Sequence, residues 1–200
     1  WGLILTSIVI SPPIPQLKLV EIPLRDGTLD LTEVLSDDVK YKDRTITFSF
    51  AVVDARETWT TKVSEIANYL HGKRLKIIID KDPAFYYIGR IAIDEWNSNQ
   101  SVGKLVINST VEPYKYSVLS SADDWIWDIF NFENGVISYA CNVEIVGSKT
   151  IDIWGNRKKT YPIITTSVEM QVIFDGVTYN LNAGSNKIYT LIFHEGWNSL

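Results

Sequence analysis

The stretch Thr45-Ile46-Thr47-Phe48-Ser49-Phe50-Ala51-Val52 alternates strictly between polar and apolar positions. A period of two residues is that of a β-strand with one face toward solvent and the other face buried. The predicted buried side chains are Ile46, Phe48, Phe50 and Val52. Because long helical patterns are scarce elsewhere in the chain, this stretch sets the expectation of a β-rich fold.

On the N-terminal side of this stretch, extended segments alternate with prolines and turn signals. Leu3–Ile10 is rich in Ile and Val, and it predicts a first strand. The prolines of residues 11–15 interrupt this strand, because proline cannot donate to a ladder. Residues 17–22 are a second extended run. Residues 29–35 are predicted to form a short helical turn, with Asp30 available as its cap.

On the C-terminal side, apolar residues at helical spacing predict one α-helix. Its apolar stripe consists of Val63, Ile66, Ala67 and Leu70. Its start can be capped by Thr58, Thr60 or Thr61. Gly72 stands where a left-handed residue commonly ends a helix. After the helix, an antiparallel meander is predicted, with strands at residues 75–79, 85–96 and 102–111.

A change of composition near residues 117–122 marks a predicted domain boundary. Of the 19 Lys and Arg residues, 14 precede it. We therefore divide the chain into a domain of residues 1–116 and a domain of residues 117–200. In the second domain, strands are predicted at residues 136–146, 151–154, 163–174, 177–181 and 187–193. Asp175-Gly176 signals a tight hairpin, and the whole pattern is typical of a β-sandwich or jelly roll.

Charge and hydropathy argue against two classes of partner. The net charge is -5 and the sequence pI is near 5.1, so the chain lacks the basic balance of a nucleic-acid binder. No stretch reaches the ~18 apolar residues that a membrane-spanning helix needs. No secretory signal is recognisable, and both ends are expected to be trimmed relative to the natural protein. We expect no specific nucleic-acid binding and no membrane insertion.

The sequence lacks the residue patterns that carry catalysis or bind metals. It contains no nucleophile elbow, phosphate-binding loop or zinc-binding helix motif. The lone Cys141 can form no internal disulfide, which suits a reducing compartment. The acidic pairs at residues 37–38 and 123–124 are interpreted as solvated turn residues. We therefore predict a protein that is not an enzyme, with no catalytic, metal-binding or cofactor-binding residues and no cofactor.

Aromatic residues are the unusual feature of the composition, with seven Trp and ten Tyr. Four of the tryptophans lie in the second domain: Trp125, Trp127, Trp154 and Trp197. Core packing is the favoured interpretation, followed by anchoring of a protein interface and then by stacking on sugar rings. The candidate residues for contact with a ligand or partner are Trp125, Trp127 and Trp154.

Motifs in the first domain resemble the distal tail proteins (Dit) of siphophages. Residues 20–32, VEIPLRDGTLDLT, are similar to the family signature E-I-P-G-R-D-G-x-L-D-L-T, and residues 41–48, YKDRTITF, are similar to Y-x-N-R-x-I-x-F. Residues 66–73 resemble the family helix that ends in L-H-G-K, and further matches occur in the family's order at residues 87–90, 95–96 and 112–116. Leu24 departs from the pattern, since the family commonly has Gly there. Residues 117–200 match in outline alone.

The resemblance implies a fold and a role. The implied fold is an N-terminal β-sandwich with one α-helix and a hairpin arm, followed by a C-terminal galectin-like β-sandwich or jelly roll. Residues 1–116 would be the ring-forming belt domain, and six copies would form a closed ring. The ring would be a hub of the tail tip or baseplate in a phage or prophage, joining the tail tube to tail-tip and receptor-binding proteins. The implied location is the virion tail, after synthesis and assembly in the host bacterial cytoplasm.

Two functions are therefore weighed. The first is a structural hub whose copies contact one another head to tail, a geometry that closes into a ring when the rotation closes. The candidate contacts are the hairpin of residues 75–96 and the proline-broken segment of residues 11–25, because exposed ladder groups recruit a neighbouring strand. The alternative is a carbohydrate-binding module that recognises host cell-surface glycans through its C-terminal domain. A hydrolase is disfavoured, because no cluster of carboxylates can be assembled from the sequence.

Overall fold

The computed structural model describes residues 1–34, 38–53, 55–98, 102–118 and 140–200. The chain divides into two compact units, Trp1–Val118 and Leu119–Leu200. The described part is mainly β and contains one α-helix, which confirms the predicted fold class. No helix within these ranges is long and apolar enough to cross a membrane. The separate roles predicted for residues 1–116 and 117–200 stay predictions.

The first unit is built on one antiparallel sheet. Its elements in chain order are β1 (Leu3–Ile10), β2 (Leu19–Glu21), β3 (Thr28–Asp30), β4 (Arg44–Val52), α1 (Trp59–Leu70), β5 (Arg74–Ile79), β6 (Asp82–Asn97), β7 (Gly103–Val111) and β8 (Tyr116–Ser117). The order across the sheet is β1-β4-β7-β6-β5, and β8 also pairs with β6. β2 and β3 form a separate ladder. The first strand, the alternating strand and the meander are therefore confirmed.

Strand β4 shows how the alternating pattern produces the core. Ile46 and Val52 are buried, and Phe48 and Phe50 are partly buried against the same clusters. Helix α1 adds Trp59 and Ile66 to this core, both of them buried. Each fully buried aliphatic side chain stabilises the fold by about 1.5–3 kcal/mol. The period of two in the strand and the apolar stripe of the helix are thus explained by one shared interior.

Helix α1 begins differently from the prediction and ends as predicted. It follows a 3-10 turn at Arg56–Thr58, and no threonine side chain caps it. The Thr58 hydroxyl instead donates to the Ala55 carbonyl at 2.8 Å. Because the backbone at Thr58 is already helical, the turn leads the chain directly into the helix. At the other end, Gly72 has a φ of +77°, which confirms the left-handed residue.

The helical turn predicted for residues 29–35 is wrong where it can be compared, since Thr28–Asp30 is strand β3. Pairing with β2 provides a ladder and leaves Leu29 half-buried, which a single helical turn would not do. Asp30 caps no helix. Hydrogen bonds from the Thr32 hydroxyl and the Thr32 backbone N–H lower the pKa of its carboxyl. Leu35 lies outside the described residues.

The second unit forms three two-stranded antiparallel ladders in its described residues. Its strands are β9 (Asp152–Gly155), β10 (Ile163–Thr166), β11 (Met170–Phe174), β12 (Val177–Leu181), β13 (Gly184–Lys187) and β14 (Gly196–Ser199). The pairs are β9 with β14, β10 with β13, and β11 with β12. Asp175 and Gly176, with φ of +49° and +74°, form the predicted tight hairpin between β11 and β12. The galectin-like arrangement stays a prediction.

Three predicted strands of this unit need correction. Within residues 136–146, the described residues 140–146 form no strand. The strand predicted for residues 163–174 is interrupted at residues 167–169, and residues 188–193 form a loop after β13. Leu191 and Phe193 of that loop are nevertheless buried with Phe174. Their burial explains the error, because an apolar run indicates contact with the core whether or not its backbone joins a ladder.

Candidate interaction surfaces

Strand β1 is an edge of the main sheet, since it pairs with β4 on one side and with no other strand among the described residues. Four of its aliphatic side chains are exposed: Ile4, Leu5, Val9 and Ile10. A bulge interrupts its register between Leu5 and Ser7. An exposed apolar edge has unpaired backbone groups that can accept another strand. β1 is therefore a surface suited to a protein neighbour.

The segment of residues 11–31, called the arm below, leaves most of its apolar side chains uncovered. It is attached to the unit by backbone hydrogen bonds from Gln16 N to Lys40 O (2.8 Å) and from Lys42 N to Ile14 O (2.9 Å). Its exposed apolar residues are Ile14, Leu17, Leu19, Val20, Ile22 and Leu24. Contiguous exposed apolar surface commonly marks a protein-interaction site. The arm and β1 together give the first unit an aliphatic surface.

Leu24 lies at the tip of the arm, in the turn for which the family pattern has Gly. Its φ is +65°, in the left-handed region that favours glycine. The Arg25 N–H donates to the Ile22 carbonyl at 3.2 Å, and Pro23 occupies the second position, as in a type II turn. The turn therefore keeps the backbone that suits glycine, while a leucine side chain projects fully exposed from it.

The opposite edge of the main sheet is β5, part of the predicted contact hairpin of residues 75–96. The tip of this hairpin is fixed by an ion pair of 2.8 Å between Lys115 Nζ and Asp82 Oδ2. The Lys115 ammonium also lies 3.9 Å from the centre of the Phe85 ring. Lys76 stands over Tyr86 at 4.6 Å. The exposed side chains of β5 itself are Arg74, Lys76 and Ile78, so this edge carries positive charge, whereas β1 exposes no charged residue.

A partly exposed network of side chains joins β5 to the end of β7 and to β8. Arg74 forms an ion pair with Glu112, which also accepts a hydrogen bond from the Tyr116 hydroxyl. Burial, and then the hydrogen bond to Glu112, raises the pKa of Tyr116 to about 12. A phenol with such a pKa keeps its proton at neutral pH, so it is a poor general base. The network stabilises the sheet.

In the second unit, the aromatic candidates have different outcomes. Trp125 and Trp127 lie outside the described residues, whereas Trp154 lies on β9 and is 42% exposed. Trp154 pairs across the ladder with Trp197, which is 65% exposed. The two rings are in edge-to-face contact, with centroids 5.3 Å apart and planes at 83°. Core packing, the favoured interpretation, therefore does not apply to this pair.

The register of β9 and β14 places four side chains on the outward side of the ladder. Trp154 faces Trp197, and Asp152 faces Ser199, whose hydroxyl donates to the Asp152 carboxylate. All four side chains are exposed, and we call this surface the Trp154–Trp197 face. Trp197 was not among the candidate site residues. Its exposure could have been suspected from Gly196-Trp197-Asn198-Ser199, where a large aromatic ring stands among small and polar residues.

Within the described ranges, no three or more His, Cys, Asp or Glu residues are placed to hold a metal ion. Both histidines have structural hydrogen bonds. His71 Nδ1 accepts one from the Ile93 N–H at 3.0 Å, and the backbone N–H of His194 donates to Asn198 Oδ1 at 2.9 Å. Asp38 lies in a bend and pairs with Lys40 at 3.9 Å, but its side chain is only 16% exposed, so the prediction of a solvated acid is wrong for this residue.

No protein-family model matches the chain, and no curated protein matches it. Among solved structures, the chain is similar to the SPP1 Dit protein, described as a paradigm of the hub adsorption apparatus in phages that infect Gram-positive bacteria. The TM-score is 0.56 at 12% sequence identity, and the match covers 99% of this chain and 88% of the SPP1 chain. The resemblance predicted from the motifs is thereby confirmed as a likeness of fold.

Proposed function

We propose that this chain is a structural hub protein of a phage tail tip or baseplate, with no catalytic role. The observation that carries the proposal is the likeness of fold to SPP1 Dit over 99% of the chain. The Dit-like motifs of residues 20–116 also support it. In this role the protein would connect the tail tube to tail-tip and host-recognition proteins. It would be made and assembled in the host bacterial cytoplasm and located in the virion tail.

The proposed assembly is a closed ring, with six copies expected from the family resemblance. The main sheet supports this proposal because its two edges, β1 and β5, differ in chemistry. β1 exposes uncharged residues alone, whereas β5 exposes the cationic side chains of Arg74 and Lys76 beside Ile78. Two unlike surfaces on one copy favour a head-to-tail contact, which forms a ring when its rotation closes.

The arm of residues 11–31 is proposed to lie against a neighbouring copy. Its aliphatic side chains are exposed, although each would gain about 1.5–3 kcal/mol from burial. Leu24 supports this part of the proposal, since a strained backbone at an exposed position is commonly retained for a function. The β2–β3 ladder keeps the arm extended, so a neighbour would bind a surface that is already ordered.

The location can be tested on phage particles produced from the genome that encodes this chain. Gold-labelled antibodies raised against the whole protein should bind the end of the tail distal to the head. Pre-immune serum from the same animals serves as the control. Labelling confined to the head, or purified particles that lack the protein, would contradict the proposed role.

A further inference from the structure

We infer that the Trp154–Trp197 face is a binding site for an uncharged oligosaccharide whose pyranose rings carry equatorial hydroxyl groups. The face lies wholly on the β9–β14 ladder and the cleft beside it. The inference therefore rests on the second unit alone and does not depend on the ring proposed above.

The chemistry of the face matches the two sides of a sugar ring. A pyranose with equatorial hydroxyls presents its C–H groups above and below the ring, and the π face of an indole packs against such a surface. Both indoles also have an N–H donor. Asp152 and Ser199 stand two pairs along the same ladder, on the same side as the indoles, where a carboxylate and a hydroxyl can bind the ring's edge. A saccharide needs this combination of stacking and polar contact.

A cleft beside Trp197 gives the ligand room. Its volume is about 600 Å³, within the range of ~300–1,000 Å³ that is common for small-molecule sites. Its lining residues are Val143, Lys149, Thr150, Ile151, Asp152 and Trp197. One acid and one base lie in this lining, so the cleft favours neither sign of charge. An uncharged ligand with many hydroxyl groups fits it better than an anionic or cationic one.

Contacts on the inner side of the β9–β14 ladder fix the backbone of the Trp154–Trp197 face. Asn198 points to the inner side of the ladder and is buried, and its amide nitrogen donates to the carbonyls of His194 and Gly196, each at 2.9 Å. Gly155 packs so closely that an added Cβ would lie 1.9 Å from the His194 carbonyl oxygen. Trp197 is therefore presented on a fixed backbone. A preorganised surface lowers the entropy that binding costs.

The composition of the face favours a saccharide over a protein partner. Its four side chains include no aliphatic one, whereas β1 and the arm expose mainly Ile, Leu and Val. Protein interfaces are enriched in aromatic residues but depleted of Asp and Ser. Asp152 and Ser199 make up half of this face, which is the composition expected where a polar ligand binds beside the two indoles.

The test uses the full chain with cellotetraose and N-acetylchitotetraose as probes and the acyclic polyol sorbitol as a control. Titration calorimetry measures affinity, and the indole N–H signals in NMR locate the site. We expect at least one probe to bind in the millimolar range or tighter. The signals of Trp154 and Trp197 should shift, while that of buried Trp59 should not. Sorbitol should have no effect.

Variants then separate this site from other exposed aromatics. Trp197→Ala should weaken binding by roughly tenfold or more, which corresponds to ~1.4 kcal/mol. Trp197→Phe should retain part of the affinity because it keeps a ring. Tyr189→Ala is the matched control, since Tyr189 is 68% exposed in the same unit but lies outside the face. Circular dichroism of each variant verifies that it is folded.

Three results would overturn the inference. The first is that neither probe binds the folded wild-type chain. The second is that binding survives Trp197→Ala, or that Tyr189→Ala weakens it equally. The third is that the wild-type chain binds no probe but self-associates, and that Trp197→Ala abolishes the self-association. The face would then be a contact between copies.

Discussion

Leu24 has a backbone conformation that costs a non-glycine residue about 1–2 kcal/mol, since its φ is +65°. Its side chain is fully exposed, so no packing within the described chain offsets that cost. The surrounding type II turn is fixed by Pro23 and by the hydrogen bond from Arg25 to Ile22. The contact with a neighbouring copy proposed above would offset this cost.

Replacing Leu24 with glycine should relieve the backbone strain of the turn and stabilise the fold. We expect Leu24→Gly to raise the free energy of unfolding by about 0.5–1 kcal/mol, because relief of strain exceeds the entropy that glycine adds to the unfolded chain. Urea denaturation measures the change. Leu17→Gly is the control, since Leu17 is exposed on the same arm without a positive φ, and it should lower stability. Equal losses in both variants would contradict the account of the turn.

Ser109 is a second residue whose replacement should stabilise the fold. It is fully buried between Ile46 and Ile91 in the register of β4, β7 and β6. Its hydroxyl oxygen finds no hydrogen-bond partner among the described residues. We expect Ser109→Ala to raise the free energy of unfolding by about 1 kcal/mol, because an unsatisfied buried hydroxyl is destabilising.

Thr47 on β4 provides a control, because its replacement should lower the free energy of unfolding. Thr47 Oγ1 donates to Asn108 Oδ1 at 2.7 Å, so Thr47→Val removes a hydrogen bond that is made. Thermal or urea denaturation should therefore show a loss for Thr47→Val and a gain for Ser109→Ala. A loss in both variants would mean that the Ser109 hydroxyl has a partner in solution, such as a water molecule.

Tyr116 should make stability depend on alkaline pH. Its folded pKa is about 12, above the ordinary 10.0, so the folded state holds the phenolic proton more tightly. The resulting stability is complete below pH 10 and is lost as the pH rises through 12. We expect Tyr116→Phe to show a smaller loss over this range, measured by urea denaturation at a series of pH values. If Tyr116→Phe loses as much stability as the wild-type chain over this range, Tyr116 is not the group responsible.

Among the elements, β1 is the one that most directly tests the proposed contact between copies. Val9→Lys places a charge on the exposed edge, and a charged edge strand resists pairing with a neighbour. We expect the variant to fold with nearly unchanged stability but to lose assembly, measured by sedimentation in the presence of the tail-tube protein. Val168→Lys is the control, since Val168 is similarly exposed on a loop of the second unit. Normal assembly of Val9→Lys would exclude β1 from the contact.

Local patterns predicted the elements best where backbone and side-chain signals agree. The alternation of residues 45–52 predicts a strand, and Asp175-Gly176 between two apolar runs predicts a hairpin. Both predictions are confirmed. Residues 188–193 carry an apolar pattern but form only an isolated bridge, between Phe193 and Thr160, because Leu191 and Phe193 are buried from a loop. Strand β3 forms because it pairs with β2, and this pairing cannot be predicted from the residues of β3 alone.

The candidate binding residues were predictable in part. Trp154 was named from the abundance of aromatic residues, but its partner Trp197 was not, because the pair forms only when β9 meets β14. The 42 intervening residues between these tryptophans hide the register from the sequence. Residues 11–25 of the arm are predicted as a contact from their prolines. The left-handed backbone at Leu24 is indicated only by the glycine that the family pattern has at this position.

On the scale of the whole molecule, two surfaces of different chemistry lie in two different units. The first unit exposes an aliphatic edge and arm, which suits contact between protein copies. The second unit exposes an aromatic and polar face, which suits a saccharide. Self-assembly through one unit and recognition through the other could coexist in one tail-tip protein. Variants in one unit should therefore leave the function of the other unchanged.

The proposed assembly is a closed ring of copies of this chain on the tail tube. Cryo-electron microscopy of the chain mixed with the tail-tube protein of the same phage shows whether such a ring forms. We expect a ring of six copies in which β1 of each copy lies beside β5 of the next. A single copy bound to the tube, an open filament, or a ring whose contacts leave both edges exposed would contradict it.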